Sequence, residues 1–382
     1  MLMISLFAAM SAASASPANI TVPHLSGIFV ALDRVTANRS SWRADLQAMA
    51  DVGIQFLILR ATAQGVSWNA SSDPAAGCPL GRFDGYYPPA AGSPLAHCMT
   101  EQLGNADAVG TVLADAAALG LGVHLGLAYP EGAANAAARG ANATQYYRDY
   151  AWLQWTVAQD LWRRYGGRYG GSTIRGFYTD LEECNEVGYL PLAAPLAGHL
   201  LQPLARDVHT QLAGGSELLV WASPYFVGNE TRHAPATIMD PSFYADFWGQ
   251  IFEWAPDFGL IAPQDSMGAQ GNSFQNVSEY VDAMRAASRR HNPARPFWSN
   301  VELFEVWPAS CAWPDACHGR HPAPIERIKA QLANEAPRAD ALIAWEWESC
   351  LSPLHSNDTA ALYADYKDYV LGSSSKNMQA SL

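Results

Sequence analysis

Ser26–Arg34 reads SGIFVALDR: five apolar side chains in a row, then an acid and a base, with no glycine-rich turn behind them. An open, doubly wound sheet that binds phosphate would place a Gly-x-Gly loop at this first strand-to-helix junction. Its absence directs the reading toward a closed barrel. Seven further apolar runs follow the first: Phe56–Thr62, Gly122–Ala128, Ile174–Asp180, Leu218–Ser223, Gly259–Pro263, Pro296–Glu302 and Ala341–Trp347. Helical periodicity separates them, over Ser41–Val52, Asn105–Leu119, Thr144–Tyr165 and Leu192–Leu212, then Pro241–Trp254, Ser278–Arg290, Pro324–Ala336 and Thr359–Val370. In the first of these Trp42, Leu46, Met49 and Ala50 share a face, and Gly53 is placed to stop the helix. Strands that alternate with helices require parallel crossovers, and eight such units close into a (β/α)8 barrel, an α/β fold of one domain.

The ends of the chain read differently. Met1–Met10 is a short apolar run, too short to span a bilayer, and Ala13-Ser14-Ala15 supplies the small residues of a signal-peptidase site. Residues 1–15 are therefore expected to be a signal peptide, 16–371 the barrel, and 372–382 a flexible polar tail. Seven sequons, at Asn19, Asn38, Asn69, Asn142, Asn229, Asn276 and Asn357, suit a glycosylated, secreted protein. Six cysteines form an even set without metal-ligand spacing. Proximity pairs Cys78 with Cys98 and Cys311 with Cys317, which leaves Cys184 for Cys350. With 23 basic against 36 acidic residues the net charge is −13, which disfavours nucleic acid or an anionic membrane as a partner. No cofactor motif is present, no membrane insertion is expected, and nothing in the sequence fixes an oligomeric state. Thirteen tryptophans and sixteen tyrosines exceed ordinary usage; most must pack the core, but aromatic faces also stack on sugar rings.

Active sites of such barrels lie at the C-terminal ends of the strands. Side chains alternate along a strand, so Tyr178, Asp180 and Glu182 share one face after strand four, and Trp298, Asn300 and Glu302 share one after strand seven. Two carboxylates facing each other across a barrel mouth are the equipment of glycoside hydrolysis: one protonates the leaving oxygen, the other attacks or activates water. Separations of about 5–5.5 Å give retention and about 6.5–9.5 Å inversion. Further candidates for sugar contacts are Arg60 and Gln64 on strand two, Tyr225 after strand five, and Gln264 and Asp265 after strand six. On strand eight, Trp345 and Trp347 are favoured as the inward set, because Glu346 and Glu348 inside would repel the catalytic pair. The expected roles require Glu302 ionised, held by a neighbour such as Asn300 or a Tyr, and Glu182 with the higher proton affinity of the two. A non-catalytic carbohydrate-binding protein on the same scaffold is the alternative; it could dispense with one carboxylate. A metal hydrolase would need His pairs at strand ends. The only candidate is His124, inside strand three, which reads as a hydrogen-bonded core residue.

The strings SGIFVALDR (26–34), RGFYTDLEE (175–183), ASPYF (222–226), LIAPQDSMG (260–268) and PFWSNVELFE (296–305) resemble a family of secreted glycosyl-hydrolase-like barrels described as a domain of unknown function. PQDSMG and FWSNVELFE carry most of the likeness, which spans nearly all of the mature chain. That family is similar to the clan of retaining barrel glycosidases. The resemblance implies Glu182 as acid/base and Glu302 as nucleophile. The clan usually has Asn directly before its acid/base Glu, whereas Leu181 stands here, so a contact to the sugar 2-hydroxyl would have to come from Asn300 or Asn185.

Overall fold

All eight apolar runs are strands of one parallel sheet in the computed structural model, which describes residues 20–65, 78, 82–103, 107–129, 143–213, 218–228, 238–307 and 319–379. The strands are β1 (Gly27–Val30), β2 (Phe56–Leu59), β3 (Gly122–Gly126), β4 (Ile174–Thr179), β5 (Leu219–Ala222), β6 (Leu260–Ile261), β7 (Trp298–Glu302) and β8 (Ala341–Trp345). Each neighbours its sequence successor, and β8 returns to pair with β1. The remaining seam, between β6 and β7, is closed just past the end of β6. There Asn300 N–H donates to Pro263 O (2.8 Å) and Asp265 N–H to Asn300 O (2.9 Å). The chain is a (β/α)8 barrel.

Around it run α1 (Arg39–Asp51), α2 (Ala108–Ala118), α3 (Ala143–Leu161), a composite α4, α5 (Pro241–Trp254), α6 (Phe274–His291), α7 (Ile325–Glu335) and α8 (Asn357–Gln379). The composite joins Ala193–Leu196 and Gln202–Asp207 through π turns at Ala197–Leu201 and Val208–Leu212. The last helix continues into the stretch expected to be a tail. The caps are local chemistry. Asp240 accepts from Phe243 N–H with Pro241 in the first turn, and Ser273 and Asn276 form a capping box. Gly53 ends α1 as its position predicts, at φ +87, with Gly53 N–H on Ala50 O and Ile54 N–H on Met49 O.

Aromatic rings fill the barrel. Phe29, Tyr178, Trp221 and Trp298 pack with Ile58, Leu260, Ala262 and Ile343. Phe29 meets Tyr178 edge-on at 5.1 Å, and Tyr178 lies 4.7 Å from Trp221. His124 sits among them and accepts a hydrogen bond from Trp221 Nε1 (3.1 Å). Burial, then the charge of Arg175, lowers its pKa to about 3, so it is neutral. At the rim β2 and β3 approach so closely that a Cβ on Gly126 would stand 1.2 Å from Arg60 O; only glycine fits. A small sheet of Ala63–Gly65, Phe83–Gly85, Met99–Gln102 and Ala128–Tyr129 rises from this rim.

The cysteine pattern corrects one expectation. Cys78 and Cys98 are bonded, with Cα atoms 5.6 Å apart. Cys311 and Cys317 lie outside the described residues. Cys184 and Cys350 are separate buried thiols, not a pair. They follow β4 and β8, which stand on opposite walls of an eight-stranded barrel, and pairing by elimination ignores that geometry. Alkylation of unfolded, unreduced protein should therefore label Cys184 and Cys350 and spare Cys78 and Cys98. Mass mapping that finds Cys184 joined to Cys350 would refute it. Reducing the 78–98 bridge, with its sequence separation of 20, should lower stability by about 3 kcal/mol on loop-closure grounds.

Of the sequons, Asn38 and Asn357 are exposed. Asn276 is buried in its capping box, so a glycan has no room there. Asn19, Asn69, Asn142 and Asn229 lie outside the described residues, as do residues 1–15, expected to be a signal peptide. Among the described residues no helix is long and apolar enough to cross a membrane.

Candidate active site

Strand β7 presents Trp298, Asn300 and Glu302 inward, while Ser299 reaches out to Glu335 on α7. The three inward residues occupy three levels. Trp298, expected to touch sugar, lies at the opposite end of the barrel: it packs on Phe56 (4.9 Å), His124 (5.2 Å) and Trp221 (5.3 Å) and forms the floor. It opens the strand, and strand starts face away from the mouth. Asn300 is buried one level up and donates to Ser223 Oγ (2.9 Å). Glu302 stands at the rim, 3% exposed.

The polar neighbour that holds Glu302 is Ala269, whose N–H donates to Glu302 Oε2 at 2.6 Å; Asn300 is occupied elsewhere. Gly268 lets that loop come close, since a Cβ there would meet Phe304 O at 2.2 Å. Burial and then the charge of Asp265 raise the Glu302 pKa to about 8, against the opposing pull of Ala269 N–H, Arg320 and Arg327. The carboxyl expected to be ionised is thus one that this environment protonates.

Asp265 does not face the cleft. Gln264 and Asp265 are consecutive in extended chain, so only one can point inward, and it is Gln264. Asp265 is fully buried between barrel and α7. Its Oδ1 accepts from Met267 N–H (3.1 Å) and Glu302 N–H (3.2 Å), and its Oδ2 from Gln331 Nε2 (2.6 Å). It braces the backbone of Glu302 instead of binding a ligand. Burial also raises the proton affinity of Asp265 and of Glu335 beside it. Gln331 and Glu335, four apart on the buried face of α7 with Ile328 and Leu332, were missed; polar residues interrupting an apolar stripe were the available signal.

Strand β4 ends at Thr179, where Leu181 N–H turns back onto Thr179 O (2.7 Å). Tyr178 is inside the barrel with its hydroxyl donating to Asp180 Oδ1 (3.3 Å). Beyond the turn alternation lapses, and the next residues sort by burial. Glu183 is buried, accepting from Tyr147 OH (2.9 Å), whereas Glu182 is exposed. Gln264 Nε2 lies 3.3 Å from Glu182 Oε1 and 2.8 Å from Ser223 O. The main chain of Gln264 pairs with Tyr225 on one side and Asn300 on the other. One residue thus touches Glu182 and adjoins the strand that carries Glu302. Tyr225 is part-buried, hydrogen-bonded to the Cys184 thiol and within the field of Glu182. Asn185 is consumed by Val227, Met239 and Tyr280, so it is no sugar contact.

The rest of the mouth is a polar cleft. Its cavity of about 280 Å³ is lined by Leu32, Arg60, Gln64, Tyr86, Tyr129 and Asp180. Burial, then the charge of Glu182, raises Asp180 to about 7, with Arg60 and the Tyr178 hydroxyl opposing. Arg60 is exposed, with its guanidinium 4.7 Å from the centre of the Trp345 ring and Nη1 3.5 Å from Glu346 Oε2. Trp345 faces inward against Phe29 (5.0 Å). Trp347 does not: it is fully buried outside the barrel, with Nε1 donating to Asp45 Oδ1 (2.9 Å) and its ring against Tyr363. The strand stops at Trp345, so alternation cannot be carried to residue 347. Glu346 and Glu348 take the cleft side instead.

Solved structures share this architecture at low identity. A provisionally assigned α-L-fucosidase from Bacteroides thetaiotaomicron VPI-5482 superposes with a TM-score of 0.63 at 17% identity, over 97% of this chain and 99% of that one. An endo-1,4-β-D-mannanase from Thermotoga petrophila RKU-1 gives 0.51 at 12% identity, over 90% and 99%. A GH113 β-1,4-mannanase gives 0.52 at 10% identity, over 91% and 98%. These likenesses establish the fold. No curated protein sequence matches the chain. Across residues 25–357 the chain matches the model of one family, and it belongs to that family: the domain of unknown function DUF4434.

Proposed function

We propose that this protein is a secreted glycoside hydrolase that cleaves O-glycosidic bonds of a poly- or oligosaccharide with retention, using Glu182 as acid/base and Glu302 as nucleophile. The observation that carries the reading is the link through Gln264, which sets the β4 carboxyl and the β7 strand end on one rim. The leader at residues 1–15 and the Cys78–Cys98 bridge support export. The structural likeness to mannanases and to a provisionally assigned fucosidase supports the reaction class.

In this mechanism Glu182 gives its proton to the leaving oxygen as Glu302 attacks the anomeric carbon. The glycosidic bond breaks and a covalent glycosyl-enzyme forms. Water, deprotonated by Glu182, then displaces Glu302. The exposure of Glu182 suits a group that must meet both leaving group and water. A specific observation favours a second assignment: Glu302, raised to about 8, could itself be the proton donor, with Glu182 the base.

Purified protein screened against plant, algal and fungal polysaccharides should release reducing ends from at least one of them, and Glu302→Gln should release none. A panel on which wild type is inert, or on which the variant equals it, would overturn the reading.

A further inference from the structure

A second cavity, of about 470 Å³, opens on the cleft between the ends of β8, β1 and β2, and no assignment above uses it. Asp33, Arg34, Arg60, Glu346, Glu348 and His355 line it, and it shares Asp33 and Arg60 with the Asp180 cavity. The two hollows therefore adjoin. Trp345, at the end of β8, stands opposite Glu302 in the β7–β8 register.

Glu348 is the informative side chain. It is 8% exposed and its Oε1 accepts from Ala31 N–H at 2.9 Å. Its Oε2 is buried with no hydrogen-bond partner among the described residues. A buried, unsatisfied carboxyl oxygen costs about 1–3 kcal/mol, and Glu348 stands in the cavity wall, where a ligand donor would offset that cost. Glu346 beside it has Oε1 occupied by Ser349 Oγ (2.8 Å), and its Oε2 meets Arg60 only at 3.5 Å. Arg34 is spent on Asp45 (3.2 Å) and Ser352 (3.2 Å). That sets two carboxyls, Glu346 and Glu348, against Arg60. Burial and the charge of Glu346 raise the proton affinity of Glu348, a sign that this corner has more negative charge than it can solvate. A ligand bringing another carboxylate would be repelled; one bringing hydroxyl or ammonium donors would satisfy the open acceptors.

We infer that this cavity is a glycosyl subsite, in which Glu348 and Glu346 accept hydrogen bonds from ring hydroxyl or amino groups and which excludes uronic acids. The choice of a sugar as occupant rests on the glycosidase reading; the donor-accepting, anion-rejecting chemistry rests on the cavity itself.

The test is calorimetric binding of three probes to the intact chain: mannotriose, the trisaccharide of glucosamine, and trigalacturonate. The neutral or the amino probe should bind, and trigalacturonate at least ~10-fold more weakly; which of the two binds better separates hydroxyl from ammonium recognition. Glu348→Gln, which keeps the acceptor for Ala31, should weaken binding by up to about 10-fold, the scale of one ordinary hydrogen bond. Glu348 is buried, so Ala37→Trp provides an independent arm. Ala37 is exposed and lines the same cavity, and the indole should block it without removing a hydrogen bond. Failure of all three probes to bind wild type, tight binding of trigalacturonate, or unchanged affinity in Ala37→Trp would each overturn the inference. Reducing-end release tests the glycosidase reading separately. Binding lost in Ala37→Trp from a protein that hydrolyses nothing sustains the subsite alone, and hydrolysis with unaltered binding sustains the enzyme alone.

Discussion

Glu302→Gln should abolish turnover on every glycoside that the wild type cleaves, by more than ~10⁴-fold, because a neutral amide can neither attack the anomeric carbon nor be replaced by solvent in a buried site. Glu182→Gln should lose about 10²–10⁴-fold, the usual scale for a general acid, and only where the leaving group needs a proton. The measurement is a rate series for both variants on aryl glycosides of graded leaving-group acidity. A covalent glycosyl-enzyme should be trapped in Glu182→Gln with an activated substrate and never in Glu302→Gln. If the pattern is reversed, with Glu302→Gln spared on acidic leaving groups and Glu182→Gln dead throughout, the roles are exchanged, as the raised proton affinity of Glu302 would allow. Equal losses for Glu182→Gln across the whole series remove it as the acid. Asp180 is then the next carboxyl to change, since it lines the cleft near pKa 7 while Glu183 is held behind the barrel by Tyr147.

Glu302→Gln should also stabilise the fold, increasingly so as pH rises from 5 to 8. A buried acid whose proton affinity is raised in the folded state is held preferentially protonated. The folded chain then binds more protons than the unfolded one between the ordinary value of 4.5 and about 8, so stability falls as pH climbs through that window. Each pH unit of the window costs about 1.4 kcal/mol, and the whole of it at most ~5 kcal/mol. Gln cannot ionise and keeps the shape, so near pH 5 the two proteins should be similar, and near pH 8 the variant should be more stable by several kcal/mol. Asp180 and Glu348 are raised as well, but they are common to both chains, so the difference between the two curves isolates Glu302. Denaturant unfolding of wild type and variant at several pH values provides the comparison; parallel curves would show that Glu302 is ionised in the fold at neutral pH. A gain in stability from removing the reactive carboxyl is the usual relation between an active site and its scaffold.

The position of each barrel strand was legible because a parallel strand buried on both faces must be apolar along its length, as FVA, LIL or LVWA are. The helices were legible in their 3.6-residue stripes and in Gly53, Ser273 and Asp240. Sequence reading also placed Glu302 at a rim and His124 inside the core. It failed wherever side-chain direction depended on where a strand stops. Trp347, two residues past Trp345, was given an inward face that the end of β8 denies it. Asp265 shared its assignment with Gln264 although one extended segment cannot aim neighbours the same way. Trp298 has the right face but the wrong end of the strand.

The sequence by itself determined the eightfold alternation, the closed barrel, and the strand ends that bear carboxyls, because these follow from local periodicity. Only the tertiary structure decided which charges meet. Asp265 is braced by Gln331 from α7, 66 residues away in sequence. Glu182 is reached by Gln264 from 82 residues away, and Cys184 and Cys350 stand on opposite walls. Proton affinity and pairing depend on burial and on neighbours brought together by closure of the barrel, and no window of sequence contains both partners.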